Sequence, residues 1–446
     1  MKLKNYTYVT ICFLLLGLGS AGGQSSLYVD LRLYDIVYHP GLDKLFGAFG
    51  GDRPGGHAIL QIHPRTGQVE SRVPVASAPH VLRFSANYKY LYVGYLGAVR
   101  LDRIEMASRQ VETVARLDFN VEHFEETNVF YNQVDEMLPL PDFPDGILVG
   151  TRDNFVRPET RGLFVFDGQQ VLPEQIDFSS HTSRSLAYHA SSGKIYGYGH
   201  DYRHKGGLLR YRVDASGVQL EAEFDLLNGF RSEIEIIGDR LYSQQGEVLD
   251  LSGATPVRLG DIYDDENRRF QSGALEVDPQ DGLIYNVDIE YPNGPEGPGY
   301  YLNKIDPSDF KLLERQLFKS RVALPIKMVH TGGDGQHALL THSSSNIHPV
   351  PLRCRLVLIG NCDQEASTLL PVTTDIDLSS ICPSDSIQFA AGGNYDRYVW
   401  SNGFEGQQLR TDFRGGTEDL FVTAYDAQGC PQAISETIEI RPRIPR

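Results

Sequence analysis

A chain of 446 residues with 41% apolar side chains is long enough for two or three ordinary domains and can fill large cores. Its formal charge of −17 argues against a nucleic-acid partner, which needs clustered Lys and Arg to meet phosphates. The 44 Gly, 24 Pro and 24 Tyr favour turns and half-buried strands over long helices.

The first residues read as a secretory signal. Lys2 and Lys4 precede an apolar run over residues 9–18, and Ser20-Ala21-Gly22-Gly23 supplies small residues for cleavage before Gln24. That run is too short to span a bilayer, and no other stretch approaches about 20 apolar residues, so no transmembrane segment is expected. The expected location is secreted or at the cell surface. Cys12 falls inside the leader without a lipobox, which leaves Cys354, Cys362, Cys382 and Cys430. An even number in an exported chain suggests disulfides. Of the three possible pairings, Cys354–Cys362 with Cys382–Cys430 keeps each bond within one structural unit. No Cys-x-x-Cys pair occurs, so a zinc site of that spacing is not suggested.

Residues 34–75 then read as four short strands, 34–38, 45–49, 58–62 and 69–75, with a turn after each. The second-strand pattern returns at Leu45, Leu91, Ile147, Ile195, Leu241, Leu283 and, more weakly, Ala338, at spacings of 42 to 56 residues. Such a period belongs to propeller blades. A turn of Gly, Asp or Asn type precedes each match, and an apolar strand precedes each turn. A lone four-stranded sheet would expose an apolar face and both edges, so seven copies predict a closed ring. Residues 26–33, without a partner of their own, are expected to supply the outer strand of the last unit; residues 352–359 are the competing choice. The fold class is therefore all-β, a seven-bladed β-propeller over residues 24–362. The repeat resembles the WD40-like and YVTN-type propellers of secreted bacterial proteins, although the Trp-Asp dipeptide is absent and the only Trp is Trp400.

Residues 363–374 read as a linker. From 375 to 446 the pattern changes to short strands separated by Gly and Asn clusters, which suits a small β-sandwich. Cys382-Pro383-Ser384-Asp385-Ser386, Tyr398-Val399-Trp400-Ser401-Asn402-Gly403 and Tyr425-Asp426-Ala427-Gln428-Gly429-Cys430 stand in that order. They resemble the Ig-like or PKD-like modules of secreted Bacteroidota proteins. The resemblance implies a bond between Cys382 and Cys430 and a core position for Trp400.

Loops joining second to third strands should share one face with the loops between units, and such loops on a rigid ring are where binding resides. The candidate binding residues on that face are His80, Glu126, Asp153, Arg157, His181, His200, Asp201, Arg203, His204 and Glu290. No Gly-x-Ser-x-Gly elbow, P-loop or His-Glu-x-x-His motif appears, so no catalytic residue is assigned. No cofactor is indicated. A divalent metal such as calcium is conceivable at Asp264-Asp265-Glu266-Asn267, but the regular Asp-x-Asp-x-Asp-Gly spacing is missing and an exposed turn is the plainer reading. The expected function is an exported, non-catalytic binding scaffold for a protein, glycan or cell-surface ligand. The alternatives are a propeller-type polysaccharide lyase or hydrolase using His200, Asp201 and His204, and a structural surface component. Oligomeric state is not readable from the sequence.

Overall fold

A computed structural model describes residues 25–440, apart from single positions and the segments 52–55, 118–132, 153–159, 178–182, 202–203, 228–232, 263–273, 279–281, 291–298, 319–323, 333–335, 343–354, 361–367, 379–384, 401–403, 413–417 and 427–430. No α-helix occurs among the described residues. Among the described residues up to 360 the strands form seven antiparallel sheets, six of four strands and one of five.

The sheets follow chain order, and the first strand of each stands at one edge. These first strands are Leu33–His39, Pro79–Phe84, Gln133–Leu140, Ser185–His189, Ile234–Ile237, Leu275–Val277 and Leu324–His330. Each packs beside the first strand of the following sheet, and Leu324–His330 packs beside Leu33–His39, so the edges enclose a common axis. The first sheet shows the radial gradient. Its second strand, Lys44–Gly50, is buried through its middle, whereas its fourth, Val69–Pro74, is almost wholly exposed.

Hairpin chemistry sets the first-to-second-strand turns. Asp43, Tyr88, Gly193, Gly238, Gly282 and Gly332 all take positive φ there, as tight antiparallel turns require. Between neighbouring sheets lie separate apolar cores. Phe46, Ile59, Leu82 and Val93 fill the space between the first and second sheets, and Ile36, Leu60, Leu340 and Leu358 the space between the first and seventh.

The seventh sheet joins the two ends of the repeat region. Its order outward from the axis is Leu324–His330, His337–His342, Arg355–Gly360 and Ser25–Val29. Ser25–Val29 runs antiparallel to Arg355–Gly360, with Leu27 opposite Leu358. The N-terminal segment thus supplies the outermost strand, and the competing segment supplies the third.

Beyond residue 367 lie shorter sheets around a core of Ile387, Phe389, Trp400, Leu409 and Val422. Trp400 is buried, and its Nε1–H donates to the Gly406 carbonyl at 2.9 Å. Two strands fall in the segment expected as a linker: Thr368–Leu369 pairs in parallel with Pro431–Ile434, and Val372–Thr374 pairs with Ser386–Ala391. Arg397 reaches from this part of the chain to the Thr66 carbonyl of the first sheet. Cys354, Cys362, Cys382 and Cys430 lie outside the described residues. No helix among the described residues is long and apolar enough to cross a membrane.

Candidate binding cavity on the ring axis

The free edge of each first strand turns backbone N–H groups toward the axis, and a buried donor needs a partner. At four junctions a side chain from the preceding sheet provides it. Asp35 accepts from Leu82 N at 2.8 Å, Ser185 from Ile234 N at 2.9 Å, Glu235 from Val277 N at 3.1 Å, and Glu276 from His330 N at 2.5 Å. These polar residues stand in otherwise apolar first strands because the strands they stitch offer no ladder on that side.

A chain of ion pairs runs across the same surface. Lys327 Nζ lies 2.6 Å from Asp35, joining the last sheet to the first. Arg83 reaches Asp35 at 3.2 Å and Glu136 at 2.6 Å, joining the first three sheets. Burial works to raise the Asp35 carboxyl, but Lys327 and Arg83 outweigh it and hold the group below its usual range. Burial lowers Lys327, with Arg83 adding to the effect. Further buried acids stand around these pairs. Burial pushes Glu136 up to about 7 and raises Glu233. Glu235 and Glu276 are raised by burial and by their acidic neighbours. The carboxyl groups of Asp35, Glu136, Glu233, Glu235 and Glu276 thus gather around the axis with Arg83 and Lys327.

These groups border a cavity of about 820 Å³. Arg83, Lys327, Glu233, Glu235 and Glu276 form its charged wall. Tyr38, Phe84, Tyr88 and Tyr188 line it near the first-to-second-strand turns, with Tyr88 40% exposed. Such a space can take a group with a cationic head and an apolar or aromatic-stacking body. Among the described residues one set has the donors for a metal ion, Asp278, His330 and His337, and His330 also lines the cavity.

Of the candidates named from sequence, His80 is half-buried at the opposite end of its strand, its ring 6.1 Å from Tyr34. His200, Asp201, His204 and Glu290 fall on strands Lys194–Asp201, His204–Asp214 and Ile284–Glu290, with their side chains outside what is described. Glu126, Asp153, Arg157, His181 and Arg203, and the acidic cluster at 264–267, lie outside the described residues. The axial carboxylates were missed by sequence reasoning. Their signal was a single charge within an apolar first strand, as in Ile234-Glu235-Ile236-Ile237.

No family model matches the chain, and no curated protein matches it. Among solved structures it is similar to the β-propeller domain of Cps50 (Swd1) from Myceliophteria thermophila, at 11% identity over 76% of this chain and 99% of that one, with a TM-score of 0.51. The RRP9 WD40 repeats align over 76% and 98% of the two chains, at 12% identity and a TM-score of 0.48. The hydrazine synthase of Kuenenia stuttgartiensis aligns over 71% and 94%, at 12% identity and 0.49. The fold shared with the Cps50 domain, a β-propeller, is the architecture of this all-β chain.

Proposed function

We propose that the chain is an exported binding scaffold, a seven-bladed propeller followed by an Ig-like spacer, whose axial cavity receives a basic side chain of a protein ligand. One observation carries this reading: Glu233, Glu235 and Glu276 line an 820 Å³ cavity, and burial raises all three carboxyl groups. An entering Lys or Arg would replace protons on the raised carboxyl groups, and the tyrosines at the rim would pack its alkyl stem or guanidinium. Export rests on the basic and apolar leader at residues 1–23, and bonds at Cys354–Cys362 and Cys382–Cys430 suit that destination.

Binding is then linked to pH. Carboxyl groups raised above their ordinary range hold protons that a cation displaces, so affinity rises as pH rises through the raised values. Calorimetry with synthetic peptides carrying Lys or Arg, against the same peptides with Gln, should show selective binding, tighter at pH 8 than at pH 6, with proton release. Glu235→Gln should lower affinity about tenfold. Equal affinity for charged and neutral peptides at both pH values would reject the reading.

A hydrolase acting on polysaccharide is the second reading. It is favoured by a carboxyl that keeps its proton beside an open cavity, as a general acid must. Reducing-end release from a polysaccharide panel, abolished in Glu235→Gln, would favour it over the scaffold.

A further inference from the structure

We propose that Asp278, His330 and His337 form a binding site for a divalent first-row transition-metal ion, zinc foremost, between the sixth and seventh sheets. Asp278 follows the first strand of the sixth sheet, while His330 and His337 face each other across the first hairpin of the seventh. One donor atom from each lies within 4.8 Å of the other two. His330 Nδ1 is 3.1 Å from Asp278 Oδ2, outside hydrogen-bonding alignment. Ligands about 2.0–2.1 Å from a tetrahedral zinc stand about 3.4 Å from one another, so small side-chain shifts close the set.

The same protein supplies the comparison that gives this cluster its meaning. A histidine also ends the first strand of the first and fourth sheets, and there it serves the turn. His39 Nδ1 accepts from Leu42 N at 3.2 Å. His189 places Nδ1 2.7 Å from Ser192 Oγ and Nε2 3.0 Å from Asp239. The residue opposite is Lys44 in one case and Lys194 in the other. In the seventh sheet His330 turns to Asp278 instead, and the residue opposite is a second histidine.

His337 is 0% exposed, and neither of its ring nitrogens has a hydrogen-bond partner among the described residues. A buried polar group left so is costly, and metal ligation is a use for it. The Tyr285 ring, 4.2 Å away, fixes its plane. Calcium and magnesium prefer all-oxygen shells, so two imidazoles and one carboxylate select zinc and its neighbours. Because His330 lines the axial cavity, a fourth coordination position can face that space.

The test uses the full chain, stripped with a chelator and titrated with Zn²⁺ and with Co²⁺ as a spectroscopic reporter. One equivalent should bind, Co²⁺ giving tetrahedral ligand-field bands. His337→Phe, which keeps a ring against Tyr285, and Asp278→Asn should each lower affinity at least about tenfold, whereas His63→Gln should not. X-ray absorption of the zinc-loaded wild type should find two imidazoles, and needs no variant to fold. Absence of stoichiometric binding, unchanged affinity in both folded variants, or fewer than two imidazoles on zinc would overturn the proposal.

Discussion

Arg83 shows how one side chain at the axis serves several strands. It donates to Asp35 and Glu136 and to the Leu82 carbonyl, and so holds two acids that would otherwise repel. Replacing it with Met leaves Glu136 without its cation and Asp35 with Lys327 alone. We expect Arg83→Met to cost about 3 kcal/mol in urea unfolding, with part recovered in Arg83→Met/Glu136→Gln. Single residues of this kind were the least legible part of the sequence. Trp400 was an exception, because the resemblance of its surroundings to Ig-like modules implied a core position, and it is buried. Nothing in Ile326-Lys327-Met328-Val329 says which acid Lys327 meets, since Asp35 lies 292 positions away.

At the scale of the element, strands and turns were legible because they are local. Alternating apolar residues and the turns that close them are written within a few positions of each other, and the strand at Leu241 and its hairpin partner fall where the pattern puts them. Contacts between sheets are not written that way. Gly94 sits in the second strand of the second sheet, and a Cβ added there would come 2.6 Å from Val134 Cβ of the third sheet. Its role is close approach across the inter-sheet core, which a repeat alignment does not disclose. Gly94→Ala should therefore destabilise by about 1–3 kcal/mol through overpacking, read as a lower thermal midpoint with an unchanged far-UV spectrum at 20 °C. A rise in stability would mean that the two sheets yield more easily than their spacing implies.

For the whole molecule, the sequence disclosed a ring through repetition, and it disclosed the partnerless segment that completes the last sheet. It did not disclose the axis as a site. The long loops drew attention because they are polar and irregular, while the cavity is built from regular strands whose charges converge only when the ring closes. Closure also sets a stability test. Deleting residues 1–29 removes the strand that pairs with Arg355–Gly360, and with it Val29 from the core between the first and seventh sheets. The midpoint should fall by at least about 5 °C, whereas deletion of residues 1–23 alone should leave it unchanged. Equal melting of the two truncations would show that the last sheet does not depend on that strand.

The same strand imposes a timetable. Ser25–Val29 leaves the ribosome well before its partner Arg355–Gly360, which follows more than 300 residues later. At about 5–20 residues per second, the nascent chain waits tens of seconds before those two segments can meet. Throughout that interval the early sheets can form pairwise but the circle stays unlatched, and the pairing that latches it closes a loop of more than 300 residues.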